Sequence, residues 1–170
     1  MRLMSRAALA LAAILFTAPA LHAQTSFSVA AGAAVPIGST GDGLSVGYNV
    51  TAALGIKPPL APIGLRIDGM FNSMEAKAPA SGNVRILAGT ANVTLSGAAL
   101  PMGYLIGGLG MYNFSASGGT GSDTDFGFNI GVGLKFPLTG FSTFAEARLH
   151  IVSTKGESTK FVPITFGITF

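Results

Sequence analysis

The sequence is poor in charge and contains no cysteine. Only 10% of its 170 residues are charged, whereas a soluble domain usually carries about a quarter. The absence of cysteine excludes a disulfide framework, a zinc-thiolate site and a thiol nucleophile. The lysines and arginines form no cluster, which argues against nucleic acid as a partner.

Long apolar runs are also absent after residue 23. Hydrophobic residues make up 49% of the chain and the mean hydropathy is +0.56. Even so, no unbroken apolar run in this part approaches the roughly 18–20 residues of a membrane-spanning helix. High apolar content without such a run is typical of a transmembrane β-barrel, in which every second residue faces lipid. The 24 glycines are scattered through the apolar segments, as expected where strands bend and lumen side chains crowd.

Residues 1–23 predict an export signal. Two arginines are followed by an apolar stretch at 7–16, a helix-breaking proline and small residues. This is the three-part layout of a secretory signal peptide, and its apolar core is too short for the alternative, a membrane anchor helix. We expect cleavage after Ala23, or alternatively after Ala20, leaving residues 24–170 as the mature domain. Without the two arginines, the formal charge falls from +3 to +1.

From residue 24 onward the apolar residues recur with a period of two, which predicts β-strands. Segment 126–136, FGFNIGVGLKF, is the cleanest case. One face carries only apolar residues, namely Phe126, Phe128, Ile130, Val132, Leu134 and Phe136. A register shift of one would turn Asn129 and Lys135 into hydrocarbon, at roughly 2–4 kcal/mol for a midplane lysine. The alternation therefore fixes which face is outward.

Three further segments, 46–57, 65–72 and 143–151, show the same alternation. The first strand, at about 26–35, gives a weaker signal because alanine fills both of its faces.

Two segments are less decided. In 84–95 we favour an outward face of Leu87, Ala91, Val93 and Leu95. In 102–114 the odd-numbered and the even-numbered residues each form an apolar face. The pattern therefore does not decide which face of this strand is outward.

The connections between strands alternate in kind. Polar, flexible segments follow strands 1, 3, 5 and 7: PIGSTGDG, MEAKAPASGN, SASGGTGSDT and STKGEST. Tight segments follow strands 2, 4 and 6: KPPLAP, SGAALP and PLTG. A barrel with both termini in the periplasm has long outer loops and short inner turns in this order. The sequence thus predicts an all-β fold, an eight-stranded antiparallel up-and-down transmembrane β-barrel after a cleaved signal peptide.

The final segment, FVPITFGITF, ends on an aromatic residue and has apolar residues at every second position before it. The outward set is Val162, Ile164, Phe166, Ile168 and Phe170. This ending resembles the terminal signal of outer-membrane barrels. Together with the export signal and the strand count, it makes residues 24–170 similar to the small outer-membrane β-barrel superfamily, which includes the membrane domain of OmpA-like proteins. Pro163 departs from the pattern and predicts a local defect in strand pairing, such as a bulge.

The resemblance implies a cellular location and interaction partners. We expect a bacterial outer-membrane protein exported through the periplasm, in contact with outer-membrane lipid. Its terminal strand is expected to be recognised by the barrel-assembly machinery. The sequence leaves the extracellular partner, conductance, oligomeric state and physiological role open.

The inward faces predict a charge network in the lumen. An eight-stranded barrel is just wide enough to be filled by side chains, and buried charges must be paired. We therefore favour a structural network over an active site or an ion path, with Glu146 paired to Arg66, Lys135 or Arg148. The candidate members are Arg66, Asp68, Lys135, Glu146, Arg148 and His150, with Asn49 and Asn129 beside them.

No motif supports catalysis, a metal site or a cofactor. Lipid A deacylases resemble serine hydrolases with a His-x-Ser pair, but His150 is followed by Ile151 and Val152. Asp123 and Asp125 are ligand types that suit calcium, yet two acids in a glycine-rich loop more often keep the loop solvated. We expect a small integral barrel with a filled lumen and a structural or surface role.

Three alternative functions fit the sequence less well. An enzyme similar to lipid A deacylases would need the His-x-Ser pair, which this sequence lacks. A surface adhesion or binding protein would act through the outer loops, but these are short and poor in aromatic residues, which argues against a large recognition surface. A soluble lipocalin-like barrel would need a charge-rich exterior, which this composition does not supply.

We expect deletion of Phe170 to lower the yield of assembled protein more than Phe161→Ala does. Phe170 closes the outward apolar set, whereas Phe161 belongs to the opposite face. The measurement is the fraction of folded, heat-modifiable protein in outer-membrane extracts. The reverse order would contradict the outward assignment of this strand.

Overall fold

The computed structural model describes residues 24–59, 61–79, 81–97, 100–117, 121–154 and 157–170. The expected signal peptide at 1–23 lies outside the described residues. The elements are β1 (Gln24–Pro36), α1 (Ser39–Gly43), β2 (Gly47–Lys57), β3 (Ile63–Glu75), β4 (Asn83–Gly97), β5 (Leu100–Ala116), β6 (Ser122–Pro137), β7 (Ser142–Thr154) and β8 (Glu157–Thr169). Within the described ranges, no helix has the length and apolar character needed to cross a membrane.

Each strand pairs antiparallel with its neighbours in sequence, and β1 also pairs with β8. The sheet is therefore a closed eight-stranded barrel without a free edge. The predicted up-and-down architecture is confirmed.

The alternation of the strands separates two surfaces. Outward apolar side chains such as Ile130, 61% exposed, contrast with inward neighbours such as Asn129, 3% exposed. Strands β2, β3, β4, β6 and β7 face as their period-two patterns predict.

Strand β5, whose facing the sequence left open, is decided by its register with β6. Leu109 lies opposite Phe128 and Met111 opposite Phe126, and cross-strand partners share a face. Leu109 and Met111 are accordingly exposed, while Tyr112 is fully buried on the inner face.

The barrel has two different ends. We call the end with the β2–β3, β4–β5 and β6–β7 connections and Phe170 the turn end, and the opposite end the loop end. The first connection at the loop end contains α1, and Leu44 after it forms an isolated bridge with Ala76. This bridge joins the first two loop-end connections.

Two of the expected loops are shorter than their sequences predict. The β5–β6 ladder continues to Ser115↔Ser122, and the β7–β8 ladder continues to Thr154↔Glu157. Much of SASGGTGSDT and STKGEST is therefore strand. Backbone hydrogen bonding does not require an apolar face, so these strands continue where the alternation of the sequence stops.

Pro163 causes a gap in pairing and not the bulge suggested by the sequence. The β7–β8 register runs to Ala147↔Ile164 and resumes at His150↔Phe161 with the same alignment. Two positions between them form no pair, which is consistent with the missing N–H of proline. On its other side Pro163 stays in register with Ala34 of β1.

The facing of β5 can be tested by cysteine labelling, because the chain has no cysteine of its own. We expect Leu105→Cys to react faster with a small, detergent-soluble maleimide than Ile106→Cys, since these positions are 44% and 2% exposed and only the first is open to the micelle. Labelling rates of both variants in detergent micelles are the measurement, with urea-unfolded samples as the control. Equal rates in the folded state would reject the assigned register.

Candidate functional site

The interior of the barrel has three layers. From the turn end to the loop end they are an open cavity, a cluster of ionised side chains and an apolar plug.

The ion cluster consists of Arg66 and Asp68 on β3 and Glu146 and Arg148 on β7. Residues two apart on a strand face the same side, so each strand contributes one cation and one anion. Arg66 lies 2.8 Å from Asp68 (Nε to Oδ1) and 2.8 Å from Glu146 (Nη2 to Oε1). Arg148 lies 2.5 Å from Asp68 (Nη1 to Oδ2) and 2.8 Å from Glu146 (Nε to Oε1).

The ion cluster spans the lumen and is almost dry. Strands β3 and β7 are four positions apart in the ring of eight, so they lie on opposite walls. The side chains of Asp68 and Glu146 are 0% and 2% exposed, and that of Arg148 is 4% exposed. The two positive and two negative charges cancel. Buried charges are tolerated only when they are neutralised in this way.

Amide and phenol groups complete the hydrogen bonding of the carboxylates. Asn92 on β4 donates to Asp68 over 3.1 Å and is itself held by Asn129 on β6, over 2.9 Å. The hydroxyl of Tyr104 on β5 donates to Glu146 over 2.6 Å. Five strands therefore contribute to one connected polar network.

Glycines on β6 provide the space for this network. A Cβ atom at Gly131 would overlap the side chain of Arg148, and one at Gly133 would overlap the ring of Tyr104. The inward glycines of β6 thus accommodate side chains from the neighbouring strands β5 and β7.

The apolar plug closes the lumen on the loop side of the ion cluster. On β3 the inward positions that follow Asp68 are Met70, Asn72 and Met74, and the two methionines belong to the plug. Its buried members are Ala34, Met70, Met74, Ile86, Ala88, Tyr112, Val152 and Phe161.

His150 lies at the plug and not in the ion cluster. It is fully buried, its Nδ1 is 2.8 Å from the hydroxyl of Tyr112, and its ring stacks on Phe161 at a centroid distance of 5.0 Å. Lys135 lies toward the turn end of β6 and lines the cavity. Of the six charged or ionisable residues considered from the sequence, four are thus in mutual contact and these two are apart.

The two amides considered from the sequence are also placed differently. Asn129 joins the polar network through Asn92. Asn49 instead donates to Asn72 over 2.7 Å and accepts from Thr51 over 3.0 Å, in a separate buried group.

The cavity lies on the turn side of the ion cluster and has a volume of about 670 Å³. Arg66 and Tyr104 form its inner limit, and Lys57, Lys135 and Phe144 are among the residues that line it. The volume is within the range of roughly 300–1,000 Å³ found for small-molecule sites.

Sequence reasoning missed Tyr104, Tyr112 and Asn92. The two tyrosines belong to the strand of undecided facing. The sequence did contain a signal, because both tyrosines of β5 are even-numbered residues and therefore share a face. Buried tyrosine hydroxyls need hydrogen-bond partners, which a polar lumen supplies. Leu105 and Leu109 lie on the other, lipid-type face.

We expect Glu146→Gln to lower the free energy of unfolding by about 3 kcal/mol, because it leaves Arg66 and Arg148 with one uncompensated buried charge. Glu75→Gln is the matched control, since Glu75 is exposed and should change stability by less than about 0.5 kcal/mol. Urea unfolding in the same detergent measures both variants. Equal stability of wild type and Glu146→Gln would show that the ion cluster does not stabilise the fold.

Within the ranges that the structure describes, no three His, Cys, Asp or Glu side chains lie close enough together to hold a metal ion.

The fold is similar to that of two solved outer-membrane or surface proteins. Neisserial surface protein A shares 15% identity, and the match covers 86% of this chain and 97% of that one with a TM-score of 0.68. The Yersinia pestis outer membrane protein Ail, in a phospholipid bilayer nanodisc, also shares 15% identity, with coverages of 86% and 100% and a TM-score of 0.54. No family model and no curated protein matches the chain. At this level of identity the likeness concerns the fold, and the chain has the fold of the small eight-stranded outer-membrane β-barrels.

Proposed function

We propose that this protein is an integral component of a bacterial outer membrane, a closed barrel with a filled lumen and a structural or surface role. The observation that carries the proposal is the inverted distribution of polarity. Outside, Ile67 and Phe166 are each 68% exposed, whereas inside, Asp68 and Arg148 are 1% and 4% exposed. A protein in water would not present its large apolar side chains in this way, and lipid is the solvent that suits them.

The height of the apolar exterior supports lipid as its environment. Phe126 and Phe136 are the first and last outward apolar residues of β6, ten residues apart. At roughly 3.3 Å per residue and a tilt of about 40°, they are about 25 Å apart along the barrel axis. This equals the apolar band of about 25 Å that outer-membrane barrels present.

Aromatic residues border this band at both ends. At the loop end Tyr48 and Phe71 contact each other at a centroid distance of 6.0 Å. At the turn end Phe27, Phe141 and Phe170 are 45%, 39% and 63% exposed. Such girdles are typical where a barrel meets the two membrane interfaces.

The interior supports a structural role for the lumen and argues against a diffusion pore. The ion cluster joins opposite walls, and the apolar plug lies behind it. His150 has Tyr112 as its hydrogen-bond partner and a phenyl ring against its face, an arrangement that packs the ring and exposes no reactive nitrogen to the cavity. These contacts favour a packed lumen over an enzyme similar to lipid A deacylases.

The terminal strand fits the proposed assembly route. Ile164, Phe166 and Phe170 are 45%, 68% and 63% exposed on the outer face, which is the face that carries the predicted terminal signal. The proposal includes export directed by residues 1–23 and recognition of the terminal strand by the barrel-assembly machinery.

Heat-modifiable migration on a gel tests the proposal. Detergent-extracted protein should migrate differently before and after boiling and should be found in the outer-membrane fraction. Soluble protein in the periplasm would overturn the membrane assignment.

A pair of variants on one face of β6 tests the lipid contact. We expect Ile130→Arg to lower the stability of the inserted barrel by about 2–4 kcal/mol, because it places a charge in the apolar band. Thr124→Arg, on the same face but near the loop end, should cost about 0–1 kcal/mol. Urea unfolding from lipid vesicles measures both, and equal costs would contradict the depth assigned to Ile130.

A further inference from the structure

The turn end of the barrel carries two lysines at one cavity. Lys57 ends β2 and Lys135 lies near the end of β6, and both line the cavity. The two side chains therefore bring two positive charges to one enclosed space. Lys57 also donates to the hydroxyl of Ser96 over 2.7 Å, which holds its ammonium group at the cavity wall.

The nearest carboxylates do not neutralise these lysines. Asp68 and Glu146 are already paired with the two arginines of the ion cluster, whose charges cancel. The other carboxylates whose side chains the structure describes lie at the loop end: Asp42, Glu75, Asp123 and Asp125. Phe170 is at the turn end but is not among the residues that line the cavity, and its main-chain oxygen accepts the N–H of Phe27 over 3.1 Å.

The remaining lining suits a small polar ligand. Hydroxyl and amide groups of Gln24, Ser26 and Thr94 lie around the same space, and Phe144 gives it one apolar wall. A concave site with a few polar groups, two uncompensated cations and a closed inner limit has the features of a small-molecule site. Lysine is a common ligand for phosphate because its charge is compact and its donors rotate freely.

We propose that this cavity binds a small soluble anion that carries a phosphate or carboxylate group, and that Lys57 and Lys135 hold the anionic group. The ligand enters from the turn end and stops at the ion cluster. The cavity is therefore a blind binding site and not part of a pathway through the barrel.

The test uses the full barrel in nanodiscs of zwitterionic lipid, so that no lipid charge competes. Inorganic phosphate and succinate are titrated separately, and amide chemical shifts of Lys57, Tyr104 and Lys135 are followed by NMR. We expect saturable shifts at these positions with at least one probe. The tighter probe identifies the preferred group, while the absence of saturable shifts with both overturns the proposal.

Two double variants distinguish a site from general attraction to positive charge. Lys57→Gln with Lys135→Gln should weaken binding by about tenfold or more, because charge-assisted hydrogen bonds are the strong ones. Lys77→Gln with Lys160→Gln removes the same charge from the loop end and should leave binding unchanged. Equal weakening by both pairs overturns the proposal.

Heat-modifiable migration of each sample separates the two possible failures. A barrel that does not insert speaks against the membrane placement, whereas an inserted barrel without saturable binding speaks against this site. If the glutamine pair does not insert, Lys135→Gln alone is the second variant, and unchanged affinity in that variant rejects the role of Lys135.

Discussion

The pairing of β1 with β8 is the constraint on which the rest of this structure depends. An open sheet would leave a row of N–H and C=O groups unpaired, and in the proposed membrane environment lipid offers no partner for them. The register Ser28↔Thr169 to Pro36↔Phe161 removes both edges at once. Once the sheet is closed, every strand has an inner and an outer face, and the exposed apolar surface and the buried charges follow from that division.

Closure with eight strands also sets the chemistry of the interior. The lumen is so narrow that β3 and β7 reach each other with two side chains apiece, and the four charges must be balanced. On the loop side of this layer the apolar plug fills the lumen beside a few buried polar groups, and on the turn side there is a cavity with Lys57 and Lys135 at its wall. The described part of the barrel thus has a plug on the loop side of the ion cluster and a cavity on the turn side, and this cavity is the proposed anion site.

Much of the fold could be predicted because a strand has a period of two. The pattern of 126–136 fixed its facing, since the alternative would turn Asn129 and Lys135 outward. The pattern was uninformative for β5, where both faces are apolar, and only the pairing of Leu109 with Phe128 decided it. The lengths of the polar loops were predicted poorly for β5–β6 and β7–β8, because a ladder of backbone hydrogen bonds continues without apolar side chains.

The sequence by itself determined the strand count, the positions of the connections and the inward position of the charged residues considered for the lumen. These features depend on residues near each other in the chain. Only the tertiary structure decided that Glu146 bonds with Arg66 and Arg148 and not with Lys135, and that His150 joins Tyr112 and Phe161. Such contacts depend on the stagger of strands around the closed barrel, which sets the height of each inward residue and is not encoded in the alternation of any single strand.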